Sequence, residues 1–354
     1  MATISQLKKI MKPIAKAVLT GQPNAPRLGF YVTSGPGVGK SGAVYQLGAE
    51  LSAELGFDVP VYEIRGSCLA DPSFVTGIPD VSGAVTTLKR MNMLPPPNTP
   101  AILFVDELGG THQQIRNALT QLIYDKKAGE YVLDPRTFIV CAGNRASDRA
   151  GSTKVETHVG NRLRHYTVEA DLKEWQAFVA DKNLPPMLIA FLEQNPALLH
   201  KFDAKSEDLA FPSPRTWEEV AIDMTIFTTP DEILMSAASL VGEGPAAELA
   251  AFLTRAQAIP SWDKFRAMAA GDAAALLKSS ESSVQYAAMT MSANSVADPA
   301  DVDWSIEVME SVSPELTVAF ANMANTVFRK AAITLKSKKL LDFAKRTGVA
   351  LFKQ

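Results

Sequence analysis

Thr33 to Gly42 reads TSGPGVGKSG. It comes within one residue of the phosphate-loop pattern G-x-x-x-x-G-K-[ST], with Ser34 standing where the first glycine belongs. Such a loop works because successive backbone N–H groups converge on phosphate oxygens while the helix that follows directs its positive end at the same place. Glycines matter because side chains would block the approach or forbid the backbone angles. Gly35, Gly37 and Gly39 remain, with Pro36 and Val38 between them and Gly42 one turn on. Lys40 is placed to reach the β and γ phosphates, and the Ser41 hydroxyl to ligate Mg²⁺. Serine at position 34 is small and adds one donor, so a modest geometric cost and retained binding are expected.

The neighbouring sequence supplies the context that such a loop requires. LGFYV (28–32) reads as a strand before it, and KSGAVYQLGAEL reads as a helix after it. From Leu28 to Val168, short apolar runs alternate with segments of helical period, which predicts a parallel sheet with crossover helices. The other expected strands are VPVYEI (59–64), AILFV (101–105), TFIVCA (137–142) and HYTVE (165–169). AILFV runs into Asp106 and Glu107. A buried parallel strand ending in two acids delivers them to the carboxyl edge of the sheet, where ligands of such folds bind. Asp106 is expected to hold Mg²⁺ with Ser41, and Glu107 to orient and polarise the attacking water.

After Asp171 the pattern changes to helical segments separated by prolines, and no further strand is expected. The organisation predicted is an N-terminal amphipathic helix (1–24), an α/β core (25–170), a helical lid (171–258) and a helical C-terminal region (259–354). A break at SANSVADPADVDW precedes an expected final long helix ending in LFKQ. Within it Phe328, Ile333, Leu335, Leu340, Leu341 and Phe343 are expected to line a core-facing side, with the lysines in solvent. SDRAGSTKVETH, rich in small polar residues, is expected to be a mobile loop and a candidate pore grip.

Composition narrows the function classes. With 354 residues, 47% hydrophobic and 21% charged, the chain is long enough for two or three domains and ordinary enough to fold throughout. A net charge of −3 gives no general attraction to nucleic acid or anionic lipid. Two cysteines, Cys68 and Cys141, are too few for a disulfide framework, and Cys141 in FIVCA reads as a buried thiol. The lysine-interrupted N-terminus holds no membrane span, so a cytoplasmic protein is expected. The four scattered histidines suggest no zinc site.

Taken in order, these motifs resemble the AAA+ ATPases, and within them the MoxR-like group. The resemblance covers roughly residues 25 to 225. It implies an α/β AAA+ core with an α-helical lid and a further helical region, binding ATP and Mg²⁺. FIVCAGNR then looks like the strand carrying the sensor 1 residue, Asn144. VGNRLRHYTVE resembles the arginine-finger segment, with Arg162 matching best and Arg164 two residues on. FPSPRTWEEV resembles the sensor 2 segment, with Arg215 at a helix start. RGSCLADPSFVTGIPDVSG resembles the helix 2 insertion of the MoxR-like clade, and YDKKAGEYVLDPRTF its hairpin before sensor 1. The family's finger acts on a neighbouring subunit's site, so the resemblance implies a homo-oligomer, a hexameric ring, in which activity requires assembly. It also implies a von Willebrand factor A domain partner and a remodelled protein client. A nucleic-acid-dependent motor is the alternative that the acidic balance disfavours. A nucleotide-switched scaffold without hydrolysis is the one that Glu107 and Asn144 disfavour.

Overall fold

A computed structural model of the chain describes residues 1–145, 161–206 and 208–348. They fall into two compact units, Met1–Ala170 with Phe202–Ser206, and Asp171–Lys201 with Glu207–Gln354.

In the first unit, α1 (Ile4–Leu19) precedes β1 (Gly29–Ser34) and α2 (Lys40–Leu55). Next, β2 (Val61–Arg65) leads to a single helical turn, α3 (Ser73–Thr76), and to the hairpin of β3 (Ile78–Asp80) and β4 (Thr87–Lys89). The rest comprises β5 (Ala101–Asp106), α4 (Gln113–Asp125), the short hairpin of β6 (Lys127–Ala128) and β7 (Tyr131–Val132), β8 (Thr137–Asn144) and β9 (Leu163–Thr167). Five strands form one all-parallel sheet in the order β2-β5-β8-β1-β9. This is the expected α/β core, a parallel sheet flanked by helices, followed by a helical region.

Near-continuous apolar strands arise because both sheet faces are covered. Phe30, Val32, Ile102, Phe104, Phe138 and Val140 face one way and pack with Leu7, Met11, Val44 and Leu47 of α1 and α2. The alternate residues Tyr31, Leu103, Val105, Ile139 and Cys141 face the other way and pack with Ile115, Leu119 and Leu122 of α4. Each fully buried large side chain contributes about 1.5–3 kcal/mol relative to exposure, so a one-residue slip of register would invert both faces at once.

α1 is part of this core. Thr3 and Gln6 close a capping box at its start. Lys8, Lys12 and Lys16 alternate with Glu50 and Glu54 of α2 in a ladder of ion pairs between 2.5 and 3.5 Å. Such half-exposed pairs contribute little individually; the ladder fixes how the two helices align. Ala2 extends the pairing by bonding the Thr167 carbonyl and the Glu169 N–H, which covers the end of edge strand β9. β9 begins two residues before the strand expected at 165–169, and Val168 pairs with Ala2 instead.

The second unit contains no strand among its described residues. Trp217 is fully buried and donates its indole N–H to the Leu198 carbonyl at 2.6 Å, and Trp175 donates to the Pro214 carbonyl at 3.0 Å. Phe191 packs tilted against Trp217 and edge-on against Phe252. The expected final long helix is replaced by short ones: Pro299–Val312, Pro314–Asn322, a π-helical turn at Met323–Val327, Ala331–Thr334 and Lys338–Thr347. Arg329 has a positive φ of 53°, which no continuous helix accommodates, and Ser337 caps a new start by accepting from the Leu340 N–H. The six apolar tail residues therefore do not share a face: Leu340 and Phe343 are buried, whereas Leu335 and Leu341 are exposed. The terminal LFKQ, His158 and the SDRAGSTKVETH segment lie outside the described residues. Among the described residues no helix is long and apolar enough to cross a membrane.

Burial raises the Cys141 thiol well above its ordinary range, while Cys68 is exposed. Iodoacetamide at pH 8 is expected to modify Cys68 alone in the native protein and both thiols after denaturation, as read by mass spectrometry.

Candidate nucleotide site

The loop between β1 and α2 has the backbone its glycines permit. Gly37 and Gly39 adopt positive φ angles of 76° and 103°. A Cβ on Gly39 would meet nothing within 4 Å, so glycine is required there for the backbone angle and not for space inside the protein. Gly39 precedes α2 without any side-chain cap, which leaves the first-turn N–H groups directed at the loop's concave side. Ser34 is the last residue of β1, opposite Asn144 of β8, and its φ is not positive. It occupies the place of the usual glycine without backbone strain and is fully buried.

Six of the expected residues meet at the carboxyl edge of the sheet. Lys40 Nζ donates to Ser34 Oγ at 2.9 Å, to the Gly35 carbonyl at 3.3 Å and to Asn144 Oδ1 at 3.2 Å. Ser41 Oγ donates to Asp106 Oδ2 at 2.9 Å. The strand order explains the pairing. β8 lies next to β1, so Asn144 borders the loop directly, while Asp106 on β5 is one strand further and meets Ser41 from the helix. Ser41 and Asp106 offer two hard oxygen donors side by side, which fits a Mg²⁺ that takes its other ligands from phosphate and water.

Glu107 follows Asp106 at the strand's end with a positive φ of 55°. A non-glycine residue pays roughly 1–2 kcal/mol in that conformation. Its surroundings hold it there. The Glu107 N–H donates to Asp106 Oδ1 at 2.9 Å, and the Glu107 carbonyl accepts from the Gly110 N–H at 3.0 Å and from Thr111 Oγ1 at 3.1 Å. The Ser67 hydroxyl donates to the Glu107 carboxylate. Beside the acids, Arg65 pairs across the sheet with Asp106, and Glu63 accepts from Arg65 Nε at 2.7 Å and from the Tyr45 hydroxyl at 2.5 Å. The Glu63 carboxylate holds the Tyr45 phenol proton, pushing its pKa up to about 12.

The arginines are placed differently. Arg162, exposed just before β9, stacks its guanidinium on the Tyr124 ring at 4.8 Å. Arg164 lies within β9 opposite Phe30 and over its ring at 5.8 Å. Both are near the amino end of β9, and the phosphate loop leaves the carboxyl end of the adjacent parallel strand. Strands rise about 3.3 Å per residue, so this end of β9 faces away from the chain's own loop. Arg215 belongs to the second unit, exposed in the first turn of the helix Pro214–Asp223, whose start is fixed by a capping box of Ser213 and Thr216.

Sequence reading missed Gly66, Ser67 and Thr111 as supports of Glu107, since nothing in the order of residues couples 66–67 to 107–111. Only the hydrophobic pattern that pairs β2 with β5 held a signal. A Cβ on Gly66 would lie 2.0 Å from Thr111 Oγ1 and 3.4 Å from the Glu107 carbonyl. Gly143 is similarly confined, since a Cβ there would come 2.6 Å from the Tyr31 hydroxyl.

No family model matches the chain, and no curated protein does. Among solved structures, PCH-2 from C. elegans is similar at 12% identity and a TM-score of 0.34, over 70% of this chain and 67% of that one. NtrX from Brucella abortus in complex with ADP is similar at 14% identity and a TM-score of 0.39, over 96% and 68%. A mutant of RuvB from Thermotoga maritima is similar at 12% identity and a TM-score of 0.33, over 99% and 86%. These likenesses are distant in both sequence and shape; the fold rests on the strand order and the loop between β1 and α2.

Gly66→Ala is expected to destabilise the first unit by about 1–3 kcal/mol through overpacking and to lower the thermal midpoint. Thr111→Ala in the same chain should recover part of that loss, and a double variant no more stable than Gly66→Ala alone would show that the Thr111 contact is not its source.

Proposed function

We propose that the chain is an AAA+ ATPase that hydrolyses ATP with Mg²⁺ to remodel a protein partner. The observation that carries the reading is the convergence of Lys40, Ser41, Asp106, Glu107 and Asn144 around one phosphate-sized loop at the carboxyl edge of a parallel sheet. Each side chain has chemistry that the reaction uses. The amides of Gly35 to Ser41 and the Lys40 ammonium neutralise the β and γ phosphates. Ser41 and Asp106 would hold Mg²⁺, which supplies charge neutralisation across those phosphates. Glu107 accepts a hydrogen bond from the attacking water and aligns it, with Asn144 as the second polar contact. Arg162 is exposed and turned away from its own loop, which supports a role as a finger for a neighbouring subunit's site. Arg164, stacked on Phe30, is less suited to that reach. Arg215 is the residue proposed to sense the γ phosphate from the helical unit.

The finer reading follows the MoxR-like resemblance: a cytoplasmic homo-oligomer, a hexameric ring, acting with a von Willebrand factor A domain partner on a protein client. The two segments that resemble that group's insertions lead into the hairpin of β3 and β4 and contain that of β6 and β7, and the two hairpins approach closely. A Cβ on Gly129, in the turn between β6 and β7, would lie 2.9 Å from Leu88 Cδ1 of β4.

ATPase rate measured against protein concentration tests the whole reading. Lys40→Ala is expected to lose nucleotide binding. Glu107→Gln should bind ATP with turnover reduced by about 10²–10⁴, and Arg162→Ala should bind normally and turn over about 10³ times slower. Full specific activity as a monomer would remove the ring from the proposal, and an inactive Arg164→Ala beside an active Arg162→Ala would move the finger.

A further inference from the structure

The residue that departs from the phosphate-loop pattern is the one that touches its lysine. Ser34 is fully buried, and its hydroxyl has both functions satisfied: it donates to the Gly35 carbonyl at 2.7 Å and accepts from Lys40 Nζ at 2.9 Å. An ammonium carries three donors. Lys40 meets acceptors in Ser34, the Gly35 carbonyl and Asn144 at the end of β8. A glycine at position 34 would supply no hydroxyl. The serine does not bend the backbone, because it continues β1 in register with β8.

We propose that Ser34 is a positioning residue that latches Lys40 toward Asn144 in competition with a phosphate, so that nucleotide entry must draw the lysine away and thereby frees Asn144. This rests on the nucleotide-binding reading above. A hydrogen bond between a charged donor and a buried acceptor stabilises the state that contains it. The latch therefore competes with phosphate for the ammonium and weakens nucleotide affinity. It also links the two events: the Asn144 amide oxygen is held by Lys40 until the phosphate withdraws the ammonium, and only then can it turn to the water. The amide group serves both states because it both donates and accepts.

Alanine separates this role from a steric one, since Ser34→Ala keeps the Cβ and removes only the hydroxyl. Calorimetric titration of the full-length chain with ADP and Mg²⁺ is the test, because ADP lacks the γ phosphate and with it the attacking water that Asn144 would otherwise meet. Ser34→Ala and Ser34→Gly should each bind ADP about tenfold more tightly than wild type, the equivalent of about 1.4 kcal/mol. Asn144→Ala, which removes the other side-chain acceptor, should also tighten binding. A folding defect would weaken binding, so the direction itself distinguishes a latch from a structural prop. If Ser34→Ala does not fold, Ser34→Gly and Asn144→Ala carry the test. Tightening by Gly alone would make the cost geometric and overturn the latch, as would unchanged or weaker binding in all three. Wild type that binds no ADP at all would instead overturn the nucleotide reading, and the latch with it.

Discussion

A hydrogen bond 2.9 Å long, from the hydroxyl of Ser41 to the carboxylate of Asp106, joins two parts of the first unit that the chain separates by a whole crossover. One end belongs to the helix that opens at the phosphate loop, and the other to a buried strand two places across the sheet. For the two to meet, β8 must lie between β1 and β5, and all three strands must run the same way. A parallel sheet with both faces covered satisfies that demand, because its strand ends and helix starts gather along one edge. The apolar alternation that buries Phe30 and Phe104 on one side and Tyr31 and Val105 on the other therefore does more than stabilise the core. It sets the register on which the oxygen pair depends.

Around that bond the polar groups work by opposing each other's freedom. Glu107 is held in a left-handed conformation by the turn that follows it, and Ser67 engages its carboxylate. Lys40 is drawn between Ser34 and Asn144. Side chains held in place before a ligand arrives lose less entropy on binding it. Where the held conformation differs from the bound one, the same contacts become a cost to entry. Ser34 is proposed to be of the second kind, and the turn supporting Glu107 is of the first.

The helical second unit has a different logic. Its order comes from large aromatic side chains with one polar handle each, such as Trp217 on the Leu198 carbonyl and Trp175 on the Pro214 carbonyl. Indole groups bury extensive apolar area and still need a partner for the N–H, so each fixes the separation of two segments. Short helices around such anchors accord with the prolines that separate the helical segments in this half of the chain and open several of its helices.

The glycine-rich loop, the five strands and the acids at the end of β5 were legible in the sequence because each is a local pattern: glycines at fixed spacing, apolar runs of strand length, charge at a run's end. Arg162 and Arg164, two residues apart in sequence, could not be told apart that way, since their difference lies in Tyr124 and Phe30, which come from other elements. The tail's apolar residues likewise read as one helical face, and the left-handed residue at Arg329 together with the new helix start at Ser337 divided them. The hold of Ser67 on Glu107 and of Ser34 on Lys40 belongs to the folded chain alone. Hydrogen bonds of this kind join groups brought together by strand pairing and loop closure, and no periodicity along the backbone encodes which hydroxyl will face which charge.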